Sequence, residues 1–107
     1  MRVLLHEQLP RQLAPYFVGH AVPSVPQEGW AGLQNGALLT KAEEALYEVL
    51  MTGDTNMQFQ QNIAKRSLGV LVMVAKSNAI EDLLPVVPNA LAALSTIQAG
   101  QVVRVEA

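Results

Sequence analysis

The chain contains no cysteine and few basic residues, and both absences exclude classes of protein. Without cysteine there is no disulfide, no zinc-thiolate site and no thiol nucleophile, and nothing marks an oxidising compartment. Seven Lys and Arg among 107 residues, with a formal net charge of -2, leave no cationic cluster for tight, non-specific nucleic-acid binding. We therefore expect any contact with nucleic acid to be local and weak.

Long apolar runs are also missing. The first run, Val3-Leu4-Leu5, is followed directly by His6 and is too short for a signal peptide or a membrane span. We therefore expect a cytoplasmic protein without membrane association. A chain of 107 residues, 50% of them hydrophobic, suits one domain over residues 1–107 with a substantial core.

Several short, continuously apolar runs are typical of strands that are buried on both faces, as in a parallel sheet. These runs lie at residues 2–5, 49–51 and 70–74. Residues 101–105 predict a final edge strand. A weaker strand at residues 21–25 is interrupted by Pro23, which cannot donate to a ladder, and this places it at or near the other edge.

Segments with helical spacing of apolar residues separate these runs. They cover residues 9–17, 38–42 and 83–97, and the last helix is predicted to restart at Pro88 and to end before Gly100. Strands and helices therefore alternate along the chain. This order predicts a three-layer α/β/α fold with a mainly parallel central sheet of about four to five strands.

In an open parallel sheet, functional groups lie beyond the carboxyl ends of the strands. His6 and Glu7 follow the first apolar run, and Asp54 follows the run at 49–51. The chain has only two aspartates, and the other, Asp82, lies in the polar turn of a helical segment. Position alone leaves two interpretations of Asp54, as a functional residue or as the cap of the following helix.

Five groups of short motifs occur in a fixed order along nearly the whole chain. They are Glu7-Gln8-Leu9-Pro10; Gly19-His20-Ala21-Val22; Gly29-Trp30-Ala31-Gly32 with Asn35-Gly36 and Leu38-Leu39; Thr52-Gly53-Asp54-Thr55-Asn56 with Gln60-Gln61-Asn62; and Leu83-Leu84-Pro85-Val86-Val87-Pro88. In this order and spacing the chain resembles the small PIN-like proteins of bacteria and archaea, which are related to toxin nucleases. The resemblance implies a PIN-like fold in which acidic residues surround one or two Mg²⁺ or Mn²⁺ ions.

The chain departs from that family at its first expected metal ligand. In the family's motif an Asp-Glu pair precedes the Leu-Pro, so His6 stands where the resemblance implies an aspartate. Glu7 and Asp54 remain as the implied metal ligands, while Asn35 and Asn56 offer carbonyl oxygens without charge. Imidazole suits zinc, manganese, iron or copper better than magnesium, so we expect the affinity for Mg²⁺ to be reduced.

Two functional hypotheses follow. The first is a metal-dependent ribonuclease, the toxin of a toxin-antitoxin pair, with Asp54 and Glu7 as ligands and His6 as a substitute ligand or general base. In this hypothesis Asn35 and Asn56 bind substrate or position water. The second is a PIN-like module without catalysis that binds RNA, a small antitoxin or a second copy of the chain. The weak net charge and the departure at His6 favour the second hypothesis.

Structural roles compete with these functional ones. His6 is also explained as a neutral, hydrogen-bonded structural group, and Glu7 as a residue that solvates a turn or caps the helix at Leu9. Trp30, between glycines, fits a packing anchor better than a base-stacking platform. A polar run could face either a phosphate backbone or solvent, and it comprises Gln58, Gln60, Gln61, Asn62, Lys65 and Arg66. Met57 and Phe59 are expected in the core.

A receiver domain is the alternative at the level of the fold. Receiver domains also carry acidic residues after strand one, an aspartate after strand three and a lysine late in the chain. Here Lys76 follows the fourth strand instead of the fifth, and His6-Glu7 replaces the acidic pair. The sequence therefore favours the PIN-like interpretation.

Overall fold

A computed structural model of the protein describes residues 1–57 and 62–107. The predictions for Gln58, Phe59, Gln60 and Gln61 lie outside these described residues.

The centre of the fold is an all-parallel sheet of four strands in the order β1-β2-β3-β4. The strands are β1 Val3–Leu5, β2 Val49–Thr52, β3 Gly69–Met73 and β4 Val102–Val105. Every residue of the first three strands is buried, as the continuous apolar runs predicted. The four predicted strands are confirmed with small shifts at their ends.

The weak strand predicted at residues 21–25 lies beside β1, at the edge of the sheet. Two isolated parallel bridges join it to β1, Arg2 to Ala21 and Leu5 to Ser24. The carbonyl of Pro23 accepts the N–H of Leu5 at 2.8 Å. Pro23 itself has no N–H to donate, which explains why the contact does not develop into a regular strand. When this segment is counted as the second of five strands in chain order, β2, β3 and β4 become the third, fourth and fifth. The spatial order is then 2-1-3-4-5, one of the two common doubly wound orders.

One face of the sheet is covered by short helices from two parts of the chain. They are a 3-10 helix at Arg11–Tyr16, α2 at Ile80–Leu83, a 3-10 turn at Leu84–Val86 and α3 at Val87–Leu94. Residues 9–17 do have helical periodicity, but Pro15 lies inside the segment. Its ring would clash with the carbonyl four residues earlier in an α-helix, so a tighter 3-10 helix forms instead.

The last helix does end before Gly100, but earlier than the helical spacing of residues 83–97 predicted, because α3 ends at Leu94. The hydroxyls of Ser95 and Thr96 donate to the carbonyls of Ala92 and Ala93 at 2.6 and 3.4 Å. Such side-chain bonds compete with continued helix and favour its end. Gly100 does have a left-handed φ of 82°, but it belongs to the turn that precedes β4.

The other face is covered by α1, Asn35–Glu44, and by the segment that contains a 3-10 turn at Ile63–Lys65. Met57 and Ile63 belong to the buried cluster on this side, together with Leu38 and Leu39 of α1. Trp30 packs against the same cluster and meets Tyr47 edge to face at 6.2 Å between ring centroids. Helices on both faces make the predicted three-layer α/β/α fold. None of the helices over 1–57 and 62–107 has the length and apolarity needed to cross a membrane.

Candidate functional site

The carboxyl ends of β1 and β2 meet at the point where the strand order reverses, which is where doubly wound folds bind their ligands. His6 and Glu7 follow β1 directly. Thr52 is the last residue of β2, and Asp54 comes two residues later. The fold therefore brings the three predicted catalytic residues to one end of the sheet.

His6 is a buried residue that links the two strands. Its side chain is 4% exposed, and its Nδ1 lies 2.7 Å from Oγ1 of Thr52, which is fully buried. Burial lowers the pKa of His6 below its usual 6.5, although Glu7 and Asp54 act in the opposite direction. The ring is therefore held neutral near pH 7. The bond to Thr52 leaves Nε2 as the one ring nitrogen that could meet a ligand.

Asp54 is half-buried and organises the loop after β2. Its N–H donates to Thr52 Oγ1 at 3.0 Å, and its Oδ1 accepts the N–H of Asn56 at 2.9 Å. The second oxygen, Oδ2, lies 3.5 Å from Nδ2 of Asn35, the first residue of α1. Both predicted asparagines therefore lie next to Asp54. Of the two, Asn56 contributes its backbone amide and Asn35 its side-chain amide.

Glu7 is exposed and connects the end of β1 to the loop that precedes α1. Its two carboxylate oxygens lie 3.2 and 3.3 Å from the N–H of Gly32. Gly32 has a left-handed φ of 82°, a conformation that favours glycine. Glu7 also lines a cavity of about 410 Å³ beside the first 3-10 helix, and Asp54 is not part of that cavity. The two carboxylates therefore face different surroundings.

The carboxylates of Glu7 and Asp54 are each engaged in their own hydrogen bonds at this end of the sheet. Hard cations require several oxygen ligands that converge on one point. Within the described parts of the chain, no group of three or more His, Asp or Glu side chains is placed to hold a metal ion. Glu7 faces Gly32, Asp54 faces Asn56 and Asn35, and His6 is bonded to Thr52. The predicted ligation of Mg²⁺ or Mn²⁺ by Asp54 and Glu7 stays a prediction.

Three residues of the site received no role from the sequence. Thr52 Oγ1 is hydrogen-bonded to the ring of His6 and accepts the backbone N–H of Asp54. The N–H of Gly32 donates to the carboxylate of Glu7. A Cβ built on Gly53 would lie 2.7 Å from Oδ1 of Asn78, so the side chain of Asn78 lies against the Gly53 backbone. Thr52 had a usable signal, as the one polar residue that ends an otherwise apolar run. Gly32 appeared only within the Gly29-Trp30-Ala31-Gly32 motif, and Asn78 had no signal beyond its place in a loop.

Comparison of the chain with family models, with curated proteins and with solved structures finds no match in any of the three. The assignment of function therefore depends on the geometry at the carboxyl ends of β1 and β2.

Proposed function

We propose that the chain is a PIN-like interaction module that does not hydrolyse RNA. The observation that supports this most directly is the environment of His6. The residue occupies the position at which the resemblance implies an acidic ligand, and its ring is buried, neutral and bonded to Thr52. A carboxylate there would add negative charge to the site, whereas this imidazole connects two strands. Residue 6 therefore has a structural role.

The partner that fits the adjacent surface is a small protein, such as an antitoxin. Two neighbouring cavities of about 410 and 340 Å³ share Arg11, Gln12 and Ser24, and they also include Glu7 and Gln27 respectively. Such a groove offers one cation, one carboxylate and neutral amides. A polypeptide segment can match donors, acceptors and charges of both signs, whereas an RNA phosphate would be repelled by Glu7.

Cleavage of single-stranded RNA tests the absence of catalysis. We would compare wild type, His6→Asp and Asp54→Asn, each with Mg²⁺ or Mn²⁺ and with a matched EDTA control. We expect no EDTA-sensitive cleavage by wild type. Cleavage by wild type that disappears in Asp54→Asn would contradict the proposal. Cleavage by His6→Asp alone would support it, because a single residue would then separate this module from an active nuclease.

Binding of a small protein tests the other half of the proposal. The probe is the product of a short open reading frame immediately upstream of the gene, whose presence would support a toxin-antitoxin pair. It is purified and titrated against the wild-type chain by calorimetry. Glu7→Gln and Arg11→Ala should weaken binding, whereas Lys41→Ala, on α1 at the opposite face, should not. Single-stranded RNA is titrated in parallel. Binding of RNA in place of that protein would refute the choice of partner.

A metal-dependent ribonuclease is the second candidate function, and one observation favours it. Burial lowers the pKa of His6 overall, but the negative charges of Glu7 and Asp54 both act to raise it. All three groups therefore lie close together at one end of the sheet. Under this hypothesis wild type cuts RNA, with a preference for Mn²⁺ over Mg²⁺ because of the imidazole. The cleavage experiment distinguishes the two functions directly.

A further inference from the structure

β4 forms an edge of the sheet with one side unpaired. It pairs with β3, and none of the strands in residues 1–57 or 62–107 pairs with its other side. Unpaired strand edges are sites at which another strand can add, and proteins usually block them with charges, bulges or covering segments. Val102 and Val103 on this strand are only half-buried. The edge is therefore available for pairing, and it lies at the far side of the sheet from Glu7.

The direction of the β4 backbone groups follows from its bonds to β3. The N–H of Val70 donates to the carbonyl of Gln101 at 2.9 Å, and the N–H of Val74 donates to that of Val105 at 2.8 Å. The odd-numbered residues therefore direct their backbone groups toward β3. Because this direction alternates along a strand, the backbone groups of Val102 and Arg104 point toward the open edge.

The side chains along this edge carry complementary charges. Arg104 and Glu106 are both exposed, and neither forms an ion pair with a described residue. Glu106 directly follows β4, so a strand extended by one residue would carry both side chains on the same face. The carbonyl of Glu106 accepts a bond from Nδ2 of Asn89 at 2.7 Å, which fixes the chain just after β4. That carbonyl keeps a second lone pair for another donor.

We propose that β4 pairs antiparallel with β4 of a second copy of this chain, in a register centred on Val105, so that Arg104 of each copy faces Glu106 of the other. This register gives two ion pairs on one face and a Val105-Val105 contact on the other. It also pairs Arg104 of one copy with Glu106 of the other, and the outward N–H and C=O groups of these residues can form backbone hydrogen bonds. A register centred on Arg104 would place the two guanidinium groups opposite each other, which is unfavourable. Two-fold symmetry makes the single edge self-complementary.

The inference does not depend on the proposed interaction at the carboxyl ends of β1 and β2. The interface would be small, since few residues of each strand take part, so we expect a weak and concentration-dependent dimer. Both ion pairs lie at an exposed edge, and added salt should therefore weaken the association.

Sedimentation equilibrium of the full chain, over micromolar to millimolar concentrations, tests the pairing and its register. Arg104→Glu alone and Glu106→Arg alone should each weaken self-association by about tenfold or more, because each replaces two attractive contacts by two repulsive ones. An equimolar mixture of these two variants should associate, since glutamates at 104 and 106 of one chain then face arginines of the other. The double variant Arg104→Glu/Glu106→Arg should recover the wild-type association. Lys41→Glu is the control for a change of net charge at a distant position.

Two results would overturn the proposal. One is a wild-type monomer at every concentration. The other is a wild-type dimer whose affinity is unchanged in both single charge reversals, which would place the contact elsewhere. Native-state hydrogen exchange provides an independent measurement, in which the outward amide of Arg104 should become protected as concentration rises while that of Val103 should not change.

Discussion

His6 should make the stability of the protein depend on pH in a definite direction. Its folded-state pKa lies below the unfolded value of 6.5 because burial disfavours the charged ring. As the pH falls through about 6.5, the unfolded chain takes up a proton that the folded chain does not. The free energy of unfolding should therefore decrease from about pH 6.5 down to the folded pKa. Urea midpoints at about pH 7.5 and about pH 5.5 measure this difference.

The two histidines provide the control for that measurement. His6→Asn removes the titrating ring and should flatten the dependence between these two pH values, whereas His20→Asn should retain it. Equal midpoints for wild type at both pH values would show that His6 titrates alike in the folded and unfolded chain.

Leu46 ends α1 in a conformation that normally belongs to glycine. Its φ is 64°, its side chain is 76% exposed, and the N–H groups of Leu46 and Tyr47 donate to the carbonyls of Glu43 and Ala42. These two bonds define a Schellman motif, in which a left-handed residue follows the helix. A leucine there is strained by its Cβ.

Leu46→Gly should therefore stabilise the protein, by about 0.5–1 kcal/mol after allowance for the greater freedom of glycine in the unfolded chain. Thermal and urea unfolding measure the change. Leu46→Ala removes the same exposed side chain but keeps the Cβ, so it should give little stabilisation. An equal gain from alanine would assign the effect to the exposed leucine side chain instead of the backbone.

At the scale of residues, the sequence placed the candidate residues at strand ends but did not predict the contacts between them. Placing His6, Glu7 and Asp54 at strand ends required only the lengths of apolar runs, which are local properties. The bond between His6 and Thr52 joins residues 46 positions apart, and it depends on the register of β1 against β2. Local patterns contain no information about that register.

At the scale of elements, one ion pair connects α1 to the segment that leads into β3. Glu43 accepts bonds from Nη1 of Arg66 at 2.7 Å and from the N–H and hydroxyl of Ser67 at 2.7 and 3.0 Å. Burial raises the pKa of Glu43, but the bonds from Ser67 and Arg66 outweigh that effect and lower it. The stabilisation is therefore present above the unfolded value of 4.5 and is lost as the pH falls through the folded pKa.

Glu43→Gln should lower the free energy of unfolding at neutral pH by about 1 kcal/mol, a value kept small because the pair is partly exposed. Glu44→Gln is the matched control, since it removes the same charge from the neighbouring, exposed position of α1. Chemical unfolding at neutral pH compares the three proteins. Equal losses in both variants would indicate an effect of net charge instead of the bonds to Arg66 and Ser67.

The elements that the sequence predicted well are those whose cause is local. Strands buried on both faces appear as unbroken apolar runs, and β1, β2 and β3 were predicted in this way, while β4 was predicted as an edge strand. The type of each helix and the positions of the helix ends were harder to predict from the sequence. The spacing of Leu9, Leu13 and Phe17 fits a helix, but Pro15 selects the 3-10 form, and the leucine at the end of α1 gives no glycine signal.

At the scale of the whole molecule, two hydrophobic clusters share one sheet. Alternate residues of each strand belong to opposite clusters, so that Leu4 packs under α1 while Val3 and Leu5 pack under the first 3-10 helix and α3. Because both clusters pack on the same four strands, separation of the strands would expose the apolar side chains of both clusters. We therefore expect the two faces to unfold together, as a single cooperative transition.

Leu13→Ala tests this coupling, because the protein has a single tryptophan on the opposite face. Leu13 is fully buried in the cluster under α3, whereas Trp30 packs with Tyr47 in the cluster under α1. The substitution should cost roughly 2–5 kcal/mol and should lower the urea midpoint of Trp30 fluorescence and of far-UV circular dichroism equally. Val18→Ala, at a position that is 81% exposed, should leave both midpoints nearly unchanged. Separation of the two midpoints in Leu13→Ala would mean that the faces of the sheet can unfold independently, and that the cluster around Trp30 holds the strands without support from the other side.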